Sequence, residues 1–408
     1  MSISNIPSIF SVNEESSSAT FTLKNDHLQA TFGNNGFLKA IILQGRSVPV
    51  SLEFVKYGVK NHRETSGAYL FLPDKAAVPV SSGLSGITVV QGNLMSTVSV
   101  QLKNVLHTVK IKNSPGIDGI GIDIANFVDI TAERNFEFAM RLTTGIKNDN
   151  IFYTDLNGFQ VIKRTRYSKL PLQANYYPVA SQAFIQDQEH RLTLLTAQPL
   201  GGSSLESGQL EIMMDRRLNQ DDNRGVGQGV LDNLLTPNIF RLIVEPRVIA
   251  KESSISHEVP AAYPSLSVHT GLFSILYPLY MLIPTSKIGP IKTTWNAGGS
   301  LPCDVHLVNL RTMLDVAGPN TFANHNEAGS ATSLILHRLG FDCGFKSPGM
   351  TCATNGGKVR LADLFPNMFS EQVHQMSLSM MYEGVDMTKS YTLSLLPMEL
   401  YAFRLTRS

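Results

Sequence analysis

Residues 220–233 read QDDNRGVGQGVLDN, two carboxylates and an arginine followed by glycine at alternate positions. Such a stretch could cradle phosphate, bind calcium, rim a sugar site or simply close a long hairpin. The phosphate readings fail on pattern: a Walker loop needs G-x-x-x-x-G-K-[ST] and a dinucleotide fingerprint needs G-x-G-x-x-G between a strand and a helix. The flanking residues look like strands, so no helix N-terminus would face an anion. The calcium reading fails because the alternating ligands and terminal glutamate of an EF-hand loop are missing. What the residues by themselves support is an irregular loop whose glycines permit tight backbone geometry.

Other chemistry is equally sparse. The ten histidines are scattered, with no H-E-x-x-H or H-x-H, and Cys303-x-x-His306 is only half of a closed metal site. There is no G-x-S-x-G elbow for a serine nucleophile. Asp155, Asp187, Asp221 and Asp222 could in principle pair as the acid and nucleophile of a glycosidase. Aspartates in such loop contexts more often brace turns.

The elements that must position these residues are strands. In Asn238–Glu245, Phe240, Leu242 and Val244 share one face while Arg241 and Glu245 point away, the pattern of a half-buried strand. Stretches 96–102, 191–195 and 209–214 alternate in the same way. Between them Asn34-Asn35-Gly36, Pro115-Gly116, Asn157-Gly158, Gly201-Gly202 and Asn355-Gly356-Gly357 supply turn residues. Many short strands with this punctuation predict antiparallel sheets packed as sandwiches. The polar, proline-bearing segment 251–265 is the expected linker, dividing a large β domain over 1–250 from a smaller one over 251–408.

Composition narrows the partners. The 408 residues carry 34 basic and 33 acidic side chains, so no net field draws in nucleic acid or anionic lipid over distance. A chain 43% hydrophobic and 16% charged has the profile of a folded domain. The first twenty residues show no basic region followed by an apolar run, so no targeting segment or anchor is read there. The longest apolar run, 272–284, contains Pro278 and falls short of the roughly 20 residues a spanning helix needs. Three cysteines fit neither a disulfide framework nor a zinc ribbon, and Cys343 and Cys352 are near enough in sequence to close a short loop under oxidising conditions.

Several long phrases carry more than periodicity. Residues 66–74 (SGAYLFLPD), 152–160 (FYTDLNGFQ), 169–187 (KLPLQANYYPVASQAFIQD) and 191–233 (RLTLLTAQPLGGSSLESGQLEIMMDRRLNQDDNRGVGQGVLDN) closely resemble the C-terminal half of the Golgi alpha-mannosidases of glycoside hydrolase family 38. Residues 301–312, 334–343 and 395–405 are similar to the closing region of that family, so the resemblance runs from about residue 20 to the end.

The resemblance implies an all-β fold, a large supersandwich of galactose-mutarotase type followed by a smaller β-sandwich-like domain. It implies hydrolysis of alpha-mannosidic bonds of N-glycans in the Golgi lumen by a retaining mechanism. An aspartate nucleophile, a second carboxylate and a zinc ion carry that chemistry, from an N-terminal barrel and the segment after it. None of those groups has a matching position in this chain, so the barrel is the implied partner and catalysis by the chain alone is not expected. Two sugar contacts do fall inside the match. Tyr69, the tyrosine of SGAY, resembles one whose phenol reaches the bound mannose, and a phenol can donate to and accept from vicinal hydroxyls. Arg224, the arginine of DDNRG, is similar to a residue whose backbone carbonyl faces the same sugar. Gly225 and its neighbours would let the loop come close, while Asp221 and Asp222 would brace it through Arg216, Arg217 or Arg224. A free-standing sugar-binding or structural β protein is the rival reading. It is disfavoured slightly because the chain has one tryptophan, Trp295, on which a lectin could stack a sugar.

Overall fold

A computed structural model describes residues 10–14, 20–62, 64–80, 86–248, 261–286, 289, 300–314, 328–366, 372–387 and 391–406. Trp295 and most of the expected linker, 251–260, lie outside the described residues, and so does the expected domain division at 250. The chain separates into two compact units, one of 1–278 with 343–349, the other of 279–342 with 350–408. The expectation of an all-β chain holds: an eleven-stranded and a nine-stranded antiparallel sheet belong to the first unit and a five-stranded sheet to the second.

Alternation explains the first unit. In the nine-stranded sheet Gln209–Arg217, Phe136–Thr144 and Arg46–Tyr57 lie side by side. Their residues Leu52, Phe54, Phe138, Met140, Leu142, Leu210 and Ile212 point inward, each at most 2% exposed. They meet Val98, Val109, Ile124 and Phe240 of the eleven-stranded sheet in one continuous core. Because successive strand side chains take opposite faces, the same three strands must present Tyr57, Glu137, Arg141, Glu211 and Arg216 outward.

The register on that outer face is set by a bulge. Ala139 opposes Met213 and Phe138 opposes Asp215, leaving Met214 as the extra residue. Uninterrupted pairing would have put Asp215 opposite Glu137, two like charges across one ladder. The inserted residue instead brings Arg216 opposite Glu137, and opposite charges facing each other across strands are favourable.

Two details depart from the sequence reading. Arg241 and Glu245 do leave the main core, but their face is buried too, beneath the helix Leu266–Leu276. The helix is capped by Ser265, whose Oγ accepts from Val268 N at 3.1 Å, and ends before Pro278. Arg241 there donates to Asp123 at 2.6 Å and Asp118 at 3.0 Å and to Ser274 at 2.7 Å. Gly201-Gly202, expected to turn, lies within the strand Leu200–Ser203. A Cβ on Gly202 would meet Val179 at 2.9 Å and the Glu211 carbonyl at 3.1 Å, so packing rather than turning requires glycine.

The second unit packs Leu334, Leu336, Phe403, Leu405 and Val373 of its sheet against Leu361, Leu364 and Phe365. It also corrects the expected cysteine pairing. The disulfide joins Cys303 to Cys352, with Cα atoms 5.4 Å apart, and Cys343 is free and exposed. Nearness in sequence misled because Cys343 opens the segment that belongs to the first unit, while Cys303 and Cys352 both belong to the second. Cys303 N also donates to Cys352 O at 3.1 Å.

Candidate functional site

Tyr69 occupies the tip of a turn from Gly67 to Leu70, closed by Gly67 N donating to Leu70 O at 3.1 Å. Its side chain is 66% exposed, so the ring is not part of the core. Beneath the turn the outer face of the nine-stranded sheet provides the anchor. Arg216 Nη2 donates to Glu137 Oε1 at 2.7 Å and to Leu70 O at 2.9 Å. Ser66 Oγ donates to the same carbonyl at 2.9 Å and approaches Glu137 Oε1 at 3.0 Å. Burial pushes the Glu137 carboxyl above the usual range, and the adjoining Arg216 and Ser66 offset only part of that.

Phe71, two residues past Tyr69, stands edge-on to Tyr57 and Tyr176. Tyr57 donates to Glu211 Oε1 at 2.5 Å, Tyr176 donates to the same oxygen, and Arg141 Nε donates to Glu211 Oε2 at 2.7 Å. The turn therefore rests on a floor of buried polar groups whose hydrogen bonds run into one another. Sequence reasoning missed Ser66, Glu137 and Glu211. For Glu137 and Glu211 the signal was the polar residue at alternate strand positions, which reads as a solvated face until another segment is known to cover it.

The QDDNRGVGQGVLDN stretch leaves the strand Gln209–Arg217 and folds back on itself. Leu218 and Val230 exchange backbone hydrogen bonds of 3.0 and 2.8 Å, closing the loop at its base. Asn223, Gly225 and Gly227 take positive φ of 56°, 102° and 73°, the conformations that made glycine necessary here. Arg224 and Gly225 are exposed at the tip. The phosphate-loop and hairpin alternatives are thereby separated: the glycines serve a compact loop that returns beside its own strand.

This loop is stitched to the Tyr69 turn. Gln220 Nε2 donates to Lys60 O at 2.8 Å and Ser66 O at 3.0 Å, and Thr65 Oγ1 donates to Asp221 O at 2.7 Å. Asp222 Oδ2 accepts from Tyr69 N at 2.6 Å and Leu70 N at 3.0 Å. A Cβ on Gly67 would lie 2.5 Å from both the Asp222 nitrogen and its Cβ, so the two backbones touch. Burial works against ionisation of Asp222, yet the N–H groups of Tyr69, Leu70 and Arg224 hold its carboxyl below the usual range.

The expected bracing through arginines takes another form. Asp222 uses main-chain amides, Asp221 Oδ2 accepts from Asn223 N at 3.0 Å, and Arg217 Nε donates to Glu133 O at 3.0 Å. Asp155 accepts from Ser181 N, Gln182 N and Gly158 N, and Asp187 from Lys147 N, Glu189 N and His190 N, so both brace turns. Of the pair Cys303-x-x-His306, the cysteine is bonded to Cys352 in the disulfide. Among the described residues no three or more of His, Cys, Asp and Glu gather as a metal site. Among them, too, no helix is long and apolar enough to cross a membrane.

Two cavities lie away from Tyr69 and Arg224, neither of which lines them. One of about 470 Å³ lies on the outer face beside Tyr57 and Arg141, rimmed by Arg166, Glu206 and Gln209. Another of about 560 Å³ is lined by Leu43, Gln44 and Arg46. It sits at the start of the strand whose end is Tyr57, about 35 Å away along an extended chain.

Comparison with known proteins gives this geometry a family. The profile of the glycosyl hydrolases family 38 C-terminal domain matches residues 23–224. Alpha-mannosidase 2 of Mus musculus is 41% identical over 394 residues, covering 94% of this chain and 34% of the mouse protein. The human protein of that name is 40% identical over 398 residues, again 94% of this chain and 34% of the relative. In Drosophila melanogaster alpha-mannosidase 2 is 42% identical over 344 residues, 83% of this chain and 29% of the relative. The chain thus spans about a third of the length of these relatives. Two Enterococcus faecalis structures, an alpha-mannosidase and a family 38 glycosyl hydrolase, share the fold with TM-scores of 0.52 and 0.53 at 9% identity. Each is matched over 94% of this chain, and over 42% and 44% of its own length. Tyr69 and Arg224, brought together through one carboxylate, both lie within the matched 23–224, and through that C-terminal domain the chain belongs to glycoside hydrolase family 38.

Proposed function

We propose that this chain is the C-terminal β portion of an alpha-mannosidase that hydrolyses alpha-mannosidic bonds of N-glycans in the Golgi lumen, and that it rims the sugar site of that enzyme. The observation that carries the reading is the joining of two sequence-distant loop tips, Tyr69 and Arg224, across Asp222 in a chain about 40% identical to alpha-mannosidase 2. The exposed Tyr69 phenol would exchange hydrogen bonds with vicinal mannose hydroxyls, and the Arg224 carbonyl would accept one more. Their contribution is to hold the sugar while bond cleavage takes place on groups of a partner barrel. In the complete enzyme zinc would supply electrophilic grip on the sugar hydroxyls. Among the described residues no His, Cys, Asp and Glu gather in a set that fits zinc.

The test has two arms. The 408-residue chain, mixed with zinc and an aryl alpha-mannoside, is expected to show no turnover, and zinc-dependent hydrolysis abolished by changing a carboxylate of this chain would overturn the division of labour. In the complete enzyme Tyr69→Phe is expected to weaken transition-state stabilisation by roughly 1 to 3 kcal/mol. An unchanged kcat/KM would remove Tyr69 from the sugar site.

A further inference from the structure

Resting on that reading, we infer that Asp222 is a positioning residue: its one carboxylate fixes the Tyr69 phenol in register with the Arg224 loop, so that both meet the same sugar. The argument starts from which atoms are held. Asp222 Oδ2 takes the N–H groups of Tyr69 and Leu70, at 2.6 and 3.0 Å, while the Leu70 carbonyl is taken from the other side by Ser66, Gly67 and Arg216. The backbone from Tyr69 N to Leu70 O is therefore held at both ends, and the exposed Tyr69 side chain projects from it. Asp222 is 2% exposed although its neighbours Asn223 to Gln228 are exposed, so it is the buried foot of an otherwise solvent-facing loop.

The same foot belongs to the chain that leads, two residues later, to Arg224. A shift of Asp222 moves both candidate contacts together, and the loss of its carboxylate lets them move apart. Gly67 sharpens the point: any side chain there would strike the Asp222 backbone at 2.5 Å, so contact between the segments is steric as well as hydrogen-bonded. The underlying anchor, Arg216 on Glu137, exists only because the bulge at Met214 aligned them. A sheet irregularity, a buried ion pair and a loop carboxylate thus act in series on one phenol. Small errors of placement near a reacting sugar are costly, which gives such a residue kinetic weight without any contact to substrate.

The experiment combines amide exchange with a double-mutant cycle. In the 408-residue chain at neutral pH, Asp222→Ala is expected to speed exchange of the Tyr69 and Leu70 amides at least about tenfold, leaving the Met140 amide in the sheet unchanged. In the complete enzyme, Asp222→Ala is expected to lower kcat/KM for an aryl alpha-mannoside about tenfold to a hundredfold, and Gly67→Ala to do the same. Asp222→Asn, which keeps an acceptor oxygen, should recover most of the loss. Added to Tyr69→Phe, Asp222→Ala should cost no more than about a further twofold, because the phenol it positions is already gone. Unaltered exchange at Tyr69 and Leu70, or penalties that multiply in the double variant, would overturn the inference. A silent Tyr69→Phe strikes instead at the proposed function, and the exchange arm then still decides whether Asp222 orders the turn.

Discussion

The two faces of the strands Arg46–Tyr57, Phe136–Thr144 and Gln209–Arg217 are both buried, yet they are built from opposite materials. Inward lie Phe54, Phe138, Met140, Leu142 and Ile212, whose stability comes from removing apolar surface from water. Outward lie Tyr57, Glu137 and Glu211, at 1%, 0% and 2% exposure, each hydrogen-bonded by a partner from another segment. The lesson is one of specificity. An apolar face accepts any neighbour that fills its volume, whereas a face of buried donors and acceptors accepts only a segment whose groups match it. The Tyr69 turn is held by the second kind, as a loop that must present a side chain accurately should be.

His107 shows what the inner face does to a polar residue. It is fully buried, donates from Nδ1 to Asn126 Oδ1 at 2.7 Å, and packs its ring against Phe37 and Phe54. Desolvation holds its pKa down to about 4, so the imidazole stays neutral. On the outer face, by contrast, each buried carboxyl has an arginine beside it, Arg216 at Glu137 and Arg141 at Glu211.

This contrast can be broken or sharpened by experiment. The largest effect is expected from Phe138→Ala, which opens a cavity on the inner face and should cost about 4 kcal/mol in urea unfolding while leaving the exchange rates of Tyr69 and Leu70 near their original values. Acidification comes next. The folded His107 pKa of about 4 lies below the ordinary 6.5, so the unfolded chain takes up the proton first. Stability is then complete above about pH 6.5 and declines towards pH 4, by about 3 kcal/mol, and His107→Gln should flatten that decline in a pH series of unfolding curves.

Glu137→Ala on the outer face should cost about 2 kcal/mol, less than a fully sealed pair because Arg216 can regain water through its 28% exposed side chain. Unlike Phe138→Ala it should also speed exchange at Leu70, and equal exchange in the two variants would erase the proposed distinction between the faces. Smallest of all is Tyr69→Phe, expected to move stability by no more than about 0.5 kcal/mol, since the phenol is exposed. A larger loss would mean that Tyr69 helps build the fold rather than projecting from it.

Much of this was legible in advance because alternation is local. Phe240, Leu242 and Val244 were assigned to one face by their spacing alone, and they are in the core. Arg241 and Glu245 were assigned correctly to the opposite face but not to its burial, because the helix that covers them is distant in sequence. Asn157-Gly158 turns as read, with φ of 54° and 74°, whereas Gly201-Gly202 does not, since the same residue type also serves close packing. Of the candidate site, Tyr69, Asp221, Asp222, Arg224 and Gly225 were marked through family resemblance. Arg216 was marked too, as a brace for the aspartates, but Ser66 and Glu137 were not, for they look like ordinary polar residues until a covering loop is known.

By itself the sequence determined the strands, their inward and outward parity and the turn positions, because these follow from bonded geometry and neighbouring residues. Only the tertiary structure decided that Tyr69 meets Asp222 across 153 residues, that a bulge sets Arg216 rather than Asp215 against Glu137, and that Cys352 joins Cys303 rather than Cys343. Each of these depends on which segments come together after the chain collapses. That is set by summed burial and hydrogen-bond satisfaction over the whole unit, which no local spacing contains.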